Sequence, residues 1–155
     1  MDKTLTLSIE NTVSETDRAA VERGLMDVAR ASGIKADDPQ PIAVLLRDPS
    51  GTLVAGLIGN LIWNWLNIRL LWVAEHLRGQ GHGATILRAA EAEAARRGFP
   101  NACLETFNEG ALRFYLREGY TTYGTLPDYP KGHTRYCLAK AITAPAPEEN
   151  RGGDQ

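Results

Sequence analysis

The fold is decided by the stretch Leu77-Arg78-Gly79-Gln80-Gly81-His82-Gly83-Ala84. It lies between an apolar run, residues 68–74, and an alanine-rich stretch with helical spacing, residues 85–97. Glycines let the backbone turn tightly, and the first turn of a helix offers unpaired N–H groups and the positive end of its dipole. A strand, a glycine-rich turn and a helix start therefore predict a cradle for a phosphate-bearing ligand.

Hydrophobic periodicity divides the rest of the chain into helices and strands. We predict strands over residues 4–10, 41–47, 52–63, 65–74, 102–107, 120–126 and 133–139, and helices over 14–32, 85–97 and 109–118. The turn Asp48-Pro49-Ser50-Gly51 joins two of the strands into a hairpin. Residues 70–74 are apolar without alternation, so we expect this strand to be central and buried on both faces, with Trp72 in the core.

Size and composition are those of an ordinary globular protein. The chain has 155 residues, of which 43% are hydrophobic and 23% charged, and we expect one domain over residues 1–142 with a disordered tail over 143–155. A net charge of −2 without a basic cluster argues against a nucleic-acid partner. No apolar stretch is long enough to span a membrane, and the N-terminus lacks a signal-peptide pattern, which predicts a cytoplasmic protein.

Two cysteines, Cys103 and Cys137, fall in predicted strands without the spacing of metal ligands. We expect both to be buried free thiols, and we expect no metal site.

Two ordered signatures carry a family resemblance. Arg78-Gly79-Gln80-Gly81-His82-Gly83 fits the pattern Arg/Gln-x-x-Gly-x-Gly/Ala, and the run Asn108-Glu109-Gly110-Ala111-Leu112-Arg113-Phe114-Tyr115-Leu116-Arg117-Glu118-Gly119-Tyr120 fits Asn-x-x-Ala-x-x-Phe-Tyr-x-x-x-Gly-Phe/Tyr. At this spacing the chain resembles the GCN5-related N-acetyltransferases, and the predicted element order extends the likeness over about residues 4–140. The resemblance implies a mixed α/β fold whose largely antiparallel, twisted sheet splays between two central parallel strands.

The resemblance also implies a chemistry, the direct transfer of an acetyl group from acetyl-CoA to a primary amine. Carried over, the backbone of Leu71, Trp72 and Val73 would bond the pantetheine, and an N–H group near Val73 would polarise the thioester carbonyl. The pyrophosphate would be held by the amides of Arg78, Gly79, Gln80, Gly81, His82, Gly83 and Ala84. Asn108 would cap a helix beside the coenzyme, and Tyr115 would contact it and act as general acid towards the leaving thiolate.

The acceptor amine must lose a proton before it can attack. For a lysine-like amine this costs about 4 to 5 kcal/mol at pH 7, and the candidate bases are Glu75, His76 and Glu105. The acids Glu75, Glu105 and Asp128 would favour a cationic acceptor if they face the cleft. Whether the acceptor is a small molecule or a peptide stays open, and so does a homodimer.

Two alternatives compete with this interpretation. Gly79-x-Gly81-x-x-Ala84 matches a dinucleotide fingerprint, and Glu105 lies where a ribose-binding acid would be expected, but the antiparallel hairpins upstream argue against a Rossmann-type domain. The other alternative is a protein of the acetyltransferase fold that binds acyl-CoA as a sensor without catalysis.

Overall fold

Three α-helices and six strands make up the described part of the protein. The computed structural model describes residues 4–35 and 37–142, and its contacts divide the chain into two units, residues 1–37 and 38–155. The predicted tail, residues 143–155, lies outside the described residues. Across the described ranges, no helix has the length and apolar character needed to cross a membrane.

The first unit contains the helix α1, Glu15–Ala31, close to its predicted bounds. Ser14 caps it as predicted, because its Oγ accepts a hydrogen bond from the backbone N–H of Asp17 at 3.0 Å. The predicted strand over residues 4–10 is wrong. Leu5, Leu7 and Ile9 are more than nine-tenths exposed there, since alternation creates an apolar face but a strand also needs a neighbour to pair with and cover it.

The second unit is built on one six-stranded sheet. Its strands are β1 (Gln40–Arg47), β2 (Leu53–Ile62), β3 (Trp65–Val73), β4 (Asn101–Thr106), β5 (Thr121–Pro127) and β6 (Thr134–Ala141). They lie in the order β1-β2-β3-β4-β6-β5, and every neighbouring pair is antiparallel except β3 with β4. This confirms the mixed α/β fold and makes the Rossmann-type alternative wrong, because that fold requires a mostly parallel sheet.

Two helices follow the two central strands, β3 and β4. Helix α2 (His82–Arg96) follows β3, and helix α3 (Glu109–Arg117) follows β4. Apolar residues spaced along α2, among them Leu87, Ala90 and Ala94, are fully buried in one core with leucines of the sheet. Helix α2 begins at His82 rather than at the predicted residue 85, because the glycine-rich turn supplies its first turn.

The register of β3 shifts at Arg69. Ile58 pairs with Leu70 and Gly59 with Ile68, so Arg69 is an extra residue that forms a β-bulge. Gly59 makes room for this register shift, because a Cβ at this position would collide with the carbonyl of Asn67. Side chains of β3 before and after residue 69 therefore alternate in opposite phase.

The pairing of β3 with β4 covers only their first residues. Trp65, Leu66 and Asn67 pair with residues 101–103, and beyond this point the two parallel strands separate. The prediction that residues 70–74 are buried on both faces is wrong, as is the core position of Trp72. Leu70 is 63% exposed and Trp72 48%, because the bulge turns both away from α2 and no β4 pairing covers this half of β3.

Candidate active site

A large cleft opens where β3 and β4 separate. It has a volume of about 970 Å³ and is lined by the second half of β3, the glycine-rich turn, the start of α2, the end of β4 and α3. Of the predicted site residues, it is lined by residues 71–73, 78, 79 and 81–84, together with Glu105, Asn108 and Tyr115. The fold thus brings both sequence signatures to one site, whereas Gln80 and Glu75 do not line it.

The glycine-rich turn presents backbone to the cleft. Gly79 and Gly81 adopt φ angles of 73° and 84°, and a Cβ at either position would meet no atom within 4 Å. The N–H groups in the first turn of any α-helix have no intrahelical acceptor. Among the described residues no side chain caps α2, so in this helix these groups also lack a side-chain acceptor. These amides and the positive end of the helix dipole form a site suited to a phosphate.

Two polar side chains fasten this turn to the end of β3 and to the 3₁₀ turn that follows it. The Nε of Arg78 donates to the carbonyl of Val73 at 3.0 Å, and the Nε2 of Gln80 donates to the carbonyl of His76 at 3.1 Å. The backbone N–H of Arg78 also donates to the carbonyl of Glu75 at 3.2 Å. Arg78 and Gln80 therefore hold the shape of the turn, and the backbone N–H of Arg78 is already engaged within it.

The second half of β3 has one open edge. The N–H of Ala74 donates to the carbonyl of Val54 at 2.8 Å, and backbone groups of an antiparallel strand alternate in direction. The N–H and C=O groups of Leu71 and Val73 consequently point towards β4, where no strand of the described chain pairs with them. The N–H and C=O groups of Trp72 point towards β2. Unlike those of Leu71 and Val73, they are therefore not directed towards a ligand between the separated strands.

Helix α3 places Tyr115 at the inner end of the large cleft. Asn108 caps the helix, its Oδ1 accepting from the backbone N–H of Ala111 at 2.9 Å. Tyr115 is 6% exposed, and its ring meets the rings of Phe114 and Tyr120 edge-on at centroid distances of 5.0 and 5.6 Å. Burial raises the pKa of Tyr115 to about 12, so its hydroxyl is a neutral donor at physiological pH.

A buried polar cluster lies behind Tyr115. The hydroxyl of Tyr120 donates to Glu91 Oε1 at 2.9 Å, and the Nζ of Lys140 lies 2.8 Å from Glu91 Oε2. Burial, followed by the charge of Glu91, raises the pKa of Tyr120. The sequence analysis missed this cluster, although Glu91 stands on the apolar face of α2 between Leu87 and Ala94, a position where a charged residue needs a partner.

A small cleft, with a volume of about 710 Å³, opens on the sheet face opposite α2. Its polar and charged lining residues come from β2 to β6 and are Asn60, Asn67, Arg69, Cys103, Glu105, Tyr123 and Arg135. Both cysteines are free but only partly buried, which corrects the prediction of buried thiols. Cys103 lines the cleft and donates to Asn67 Oδ1 at 3.1 Å; burial, and then Glu105, raises the pKa of Cys103.

The two clefts meet at four residues, Ile68, Arg69, Leu104 and Glu105, which line both. Glu105 is about half exposed there, and its Oε2 accepts from the Nη1 of Arg135 at 3.1 Å. The other predicted bases, Glu75 and His76, are exposed on a 3₁₀ turn after β3 and line neither cleft. The structure therefore separates the three candidate bases, with Glu105 alone at the meeting point.

The sequence analysis missed most of the small cleft. Asn60, Asn67, Tyr123 and Arg135 come from different strands, and only the sheet order brings them together. In the residues that the structure describes, no group of three or more His, Cys, Asp or Glu side chains is arranged to hold a metal ion.

Comparison with known proteins agrees with this geometry. The family model described as Acetyltransferase (GNAT) family matches residues 7–120. A blasticidin-S acetyltransferase from Streptomyces morookaense is 40% identical over 93 residues, 59% of this chain and 68% of that protein. Acetyltransferase Atu2258 from Agrobacterium fabrum is 32% identical over 131 residues, 83% of this chain and 96% of that protein. A crystal structure described as that of an acetyltransferase from Agrobacterium tumefaciens has a TM-score of 0.79 and 29% identity, covering 88% of this chain and 99% of that one.

Proposed function

The chain belongs to the GNAT family of acetyltransferases and is an N-acetyltransferase, and on this premise we propose that it transfers an acetyl group from acetyl-CoA to the primary amine of a small molecule. One observation carries the proposal: the large cleft joins the uncapped start of α2 to the open edge of β3 and reaches Glu105 at the edge of the small cleft. The relative named for blasticidin-S supports a small-molecule acceptor.

The residues of the large cleft fit acetyl-CoA in two parts. The pyrophosphate would meet the amides of Gly81 to Ala84, where the helix dipole favours negative charge. The amide-bearing pantetheine would add to the open edge of β3 through the backbone of Leu71 and Val73, as an extended peptide adds to a sheet edge. Trp72 would not bond the pantetheine, because its backbone N–H and C=O groups face β2.

The transfer itself needs few side chains. The amine nitrogen attacks the thioester carbon, the C–S bond breaks, the amine loses one proton and the CoA sulfur gains one. The N–H of Val73 points from the open edge of β3 into the separation of the strands, where it can donate to the oxygen that becomes negatively charged. A preorganised backbone donor of this kind stabilises the tetrahedral intermediate.

Tyr115 would serve the leaving group. A thiol has a pKa of about 8.5, so complete proton transfer from a phenol whose pKa is about 12 is uphill. We therefore assign Tyr115 the role of donating a hydrogen bond to the sulfur as negative charge develops on it.

Glu105 would serve the amine. It is the one candidate base that lines both clefts, and Arg135 holds only one of its carboxylate oxygens within hydrogen-bond distance. The other oxygen, Oε1, accepts only a long hydrogen bond from the Sγ of Cys137 at 3.9 Å, and it would receive the amine proton, directly or through a water molecule.

Calorimetric titration of the purified protein with acetyl-CoA, with NADH as control, tests the donor site first. We expect micromolar binding of acetyl-CoA alone, followed by release of free thiol when an amine panel is added. Substituting Tyr115→Phe then separates an enzyme from a sensor, because turnover should fall while acetyl-CoA affinity stays the same. Failure to bind acetyl-CoA would overturn the proposed function.

A further inference from the structure

We propose that the small cleft selects an amine that also carries a carboxylate, so that the acceptor resembles an amino acid rather than a simple polyamine. The inference rests on the proposed function, since it concerns the acceptor of that reaction. Its basis is the charge of the small cleft, in which two arginines, Arg69 and Arg135, are balanced by one acid, Glu105.

The acids expected to attract a cationic acceptor are not gathered in this cleft. Glu75 lies on the exposed turn after β3, and Asp128 is engaged with the backbone N–H of Gly132 at 3.0 Å. Neither residue lines the small cleft. Of the three acids expected to favour a cationic acceptor, only Glu105 therefore faces this cleft. With one acid against two arginines, the small cleft carries a net positive charge.

Arg135 has a donor without a partner. Its Nη1 is bound to Glu105, and its guanidinium lies over the ring of Tyr129 at 4.0 Å from the centroid, which fixes its plane. Its Nε is buried and has no hydrogen-bond partner among the described residues. A buried N–H of a charged group without an acceptor is unfavourable, and an anionic ligand oxygen would remove that cost.

Arg69 is the second cation of the small cleft and, unlike Arg135, is not paired with Glu105. The bulge in β3 places it at the meeting point of the clefts, where it is exposed and has no ion-pair partner in the described ranges. Among the neutral side chains nearby, Asn67 is already engaged, because it donates to Asn60 at 3.2 Å and accepts from Cys103. Arg69 therefore offers an unpaired positive charge to a ligand in the cleft, and a guanidinium is well matched to a carboxylate.

The arrangement orients such an acceptor. Its ammonium group would lie against Oε1 of Glu105, the oxygen that Arg135 does not hold, at the meeting point and close to the thioester. Its carboxylate would lie beside it on the small-cleft side, against the guanidinium groups of Arg69 and Arg135. A decarboxylated amine or an amide keeps the first contact and loses the second.

The test uses matched pairs of amines. Glycine, β-alanine, 4-aminobutanoate and lysine are each compared with the corresponding carboxamide, and kcat/KM is measured by thiol release with the full chain. We expect the carboxylate member of the best pair to be preferred about tenfold or more, as for a hydrogen bond to a charged group. In Arg69→Gln the preference should fall because KM rises more for the carboxylate member of the pair than for the carboxamide.

Two further variants control for charge and folding. Arg69→Lys keeps the charge and should keep most of the preference, whereas Arg135→Lys keeps the charge but lacks the buried Nε donor and should lose part of it. Arg47→Gln removes an arginine at the end of β1, whose side chain is bonded, within residues 4–35 and 37–142, only to the carbonyl of Gly51, and should change neither the preference nor the activity.

The outcomes separate the two proposals. Equal or faster acetylation of the carboxamides overturns the inference, and so does a protein that binds acetyl-CoA but acetylates no carboxylate-bearing amine of the panel; both leave the donor site standing. A preparation that does not bind acetyl-CoA in calorimetry removes the proposed function itself.

Discussion

Substituting Gly81→Asp should strongly weaken acetyl-CoA binding while leaving the protein folded. Gly81 precedes α2 with a φ of 84°, and its Cβ would project into open space at the mouth of the large cleft. A non-glycine residue in this left-handed conformation costs about 1 to 2 kcal/mol of folding free energy. That is a small part of the stability of a domain, which is about 5 to 15 kcal/mol.

The loss of binding comes from charge. Two unit charges 4 Å apart repel by about 1 kcal/mol in water and by about 4 kcal/mol at the effective dielectric of a protein surface. An aspartate beside a pyrophosphate should therefore weaken binding by about 2 to 4 kcal/mol, which is roughly 30-fold to 1000-fold. Gly81→Asn introduces the same shape without the charge, so its loss of affinity should be clearly smaller.

The chain provides a matched control in Gly51→Asp. Gly51 lies in the β1–β2 turn with a φ of 86°, and its Cβ would likewise meet no atom within 4 Å. Both substitutions should lower the melting temperature by a similar few degrees, whereas only the one at Gly81 should affect calorimetric binding of acetyl-CoA. A folded Gly81→Asp protein with unchanged affinity would refute the assignment of the pyrophosphate to the start of α2.

Three other predictions concern the reaction and the buried cluster. Because burial raises the pKa of Tyr115 to about 12, its hydroxyl stays protonated up to pH 10. In a pH profile, kcat should rise as the amine deprotonates and should not fall before pH 10. A decline of kcat below pH 10 would contradict the role of Tyr115 as a hydrogen-bond donor to the leaving sulfur. Glu105→Gln should lower kcat/KM by at least about tenfold and Glu75→Gln should leave it unchanged in thiol-release assays, while equal effects would remove Glu105 from its role. Glu91→Ala should lower the free energy of unfolding in urea by about 3 kcal/mol because Lys140 loses its partner, and a loss of under 1 kcal/mol would show that the pair contributes little.

Local features of the sequence predicted most of the fold. Helix α3 begins after the Asn108 cap and ends near Gly119 as expected, because caps and glycine stops act within a few residues. The glycine-rich turn was recognised for the same reason. The predicted strand over residues 4–10 failed because pairing depends on a distant neighbour that alternation does not specify.

The bulge at Arg69 explains much of what the sequence did not reveal. No glycine or proline within β3 marks it, and the compensating residue, Gly59, lies on the adjacent strand. Trp72 was wrongly predicted to lie in the core because of that one extra residue. It moves every later side chain of β3 to the opposite face of the sheet. The small cleft was missed because its residues are neighbours only across the sheet.

The meeting of the two clefts at Glu105 has a consequence for how products leave. If acetyl-CoA occupies the large cleft and the acceptor the small cleft, as proposed, the spent coenzyme and the acetylated amine would leave from different clefts. Neither departure would then have to wait for the other, and a fresh acceptor could enter while CoA is still bound. The parting of β3 and β4 would thus serve as a doorway with two entrances, one for each substrate.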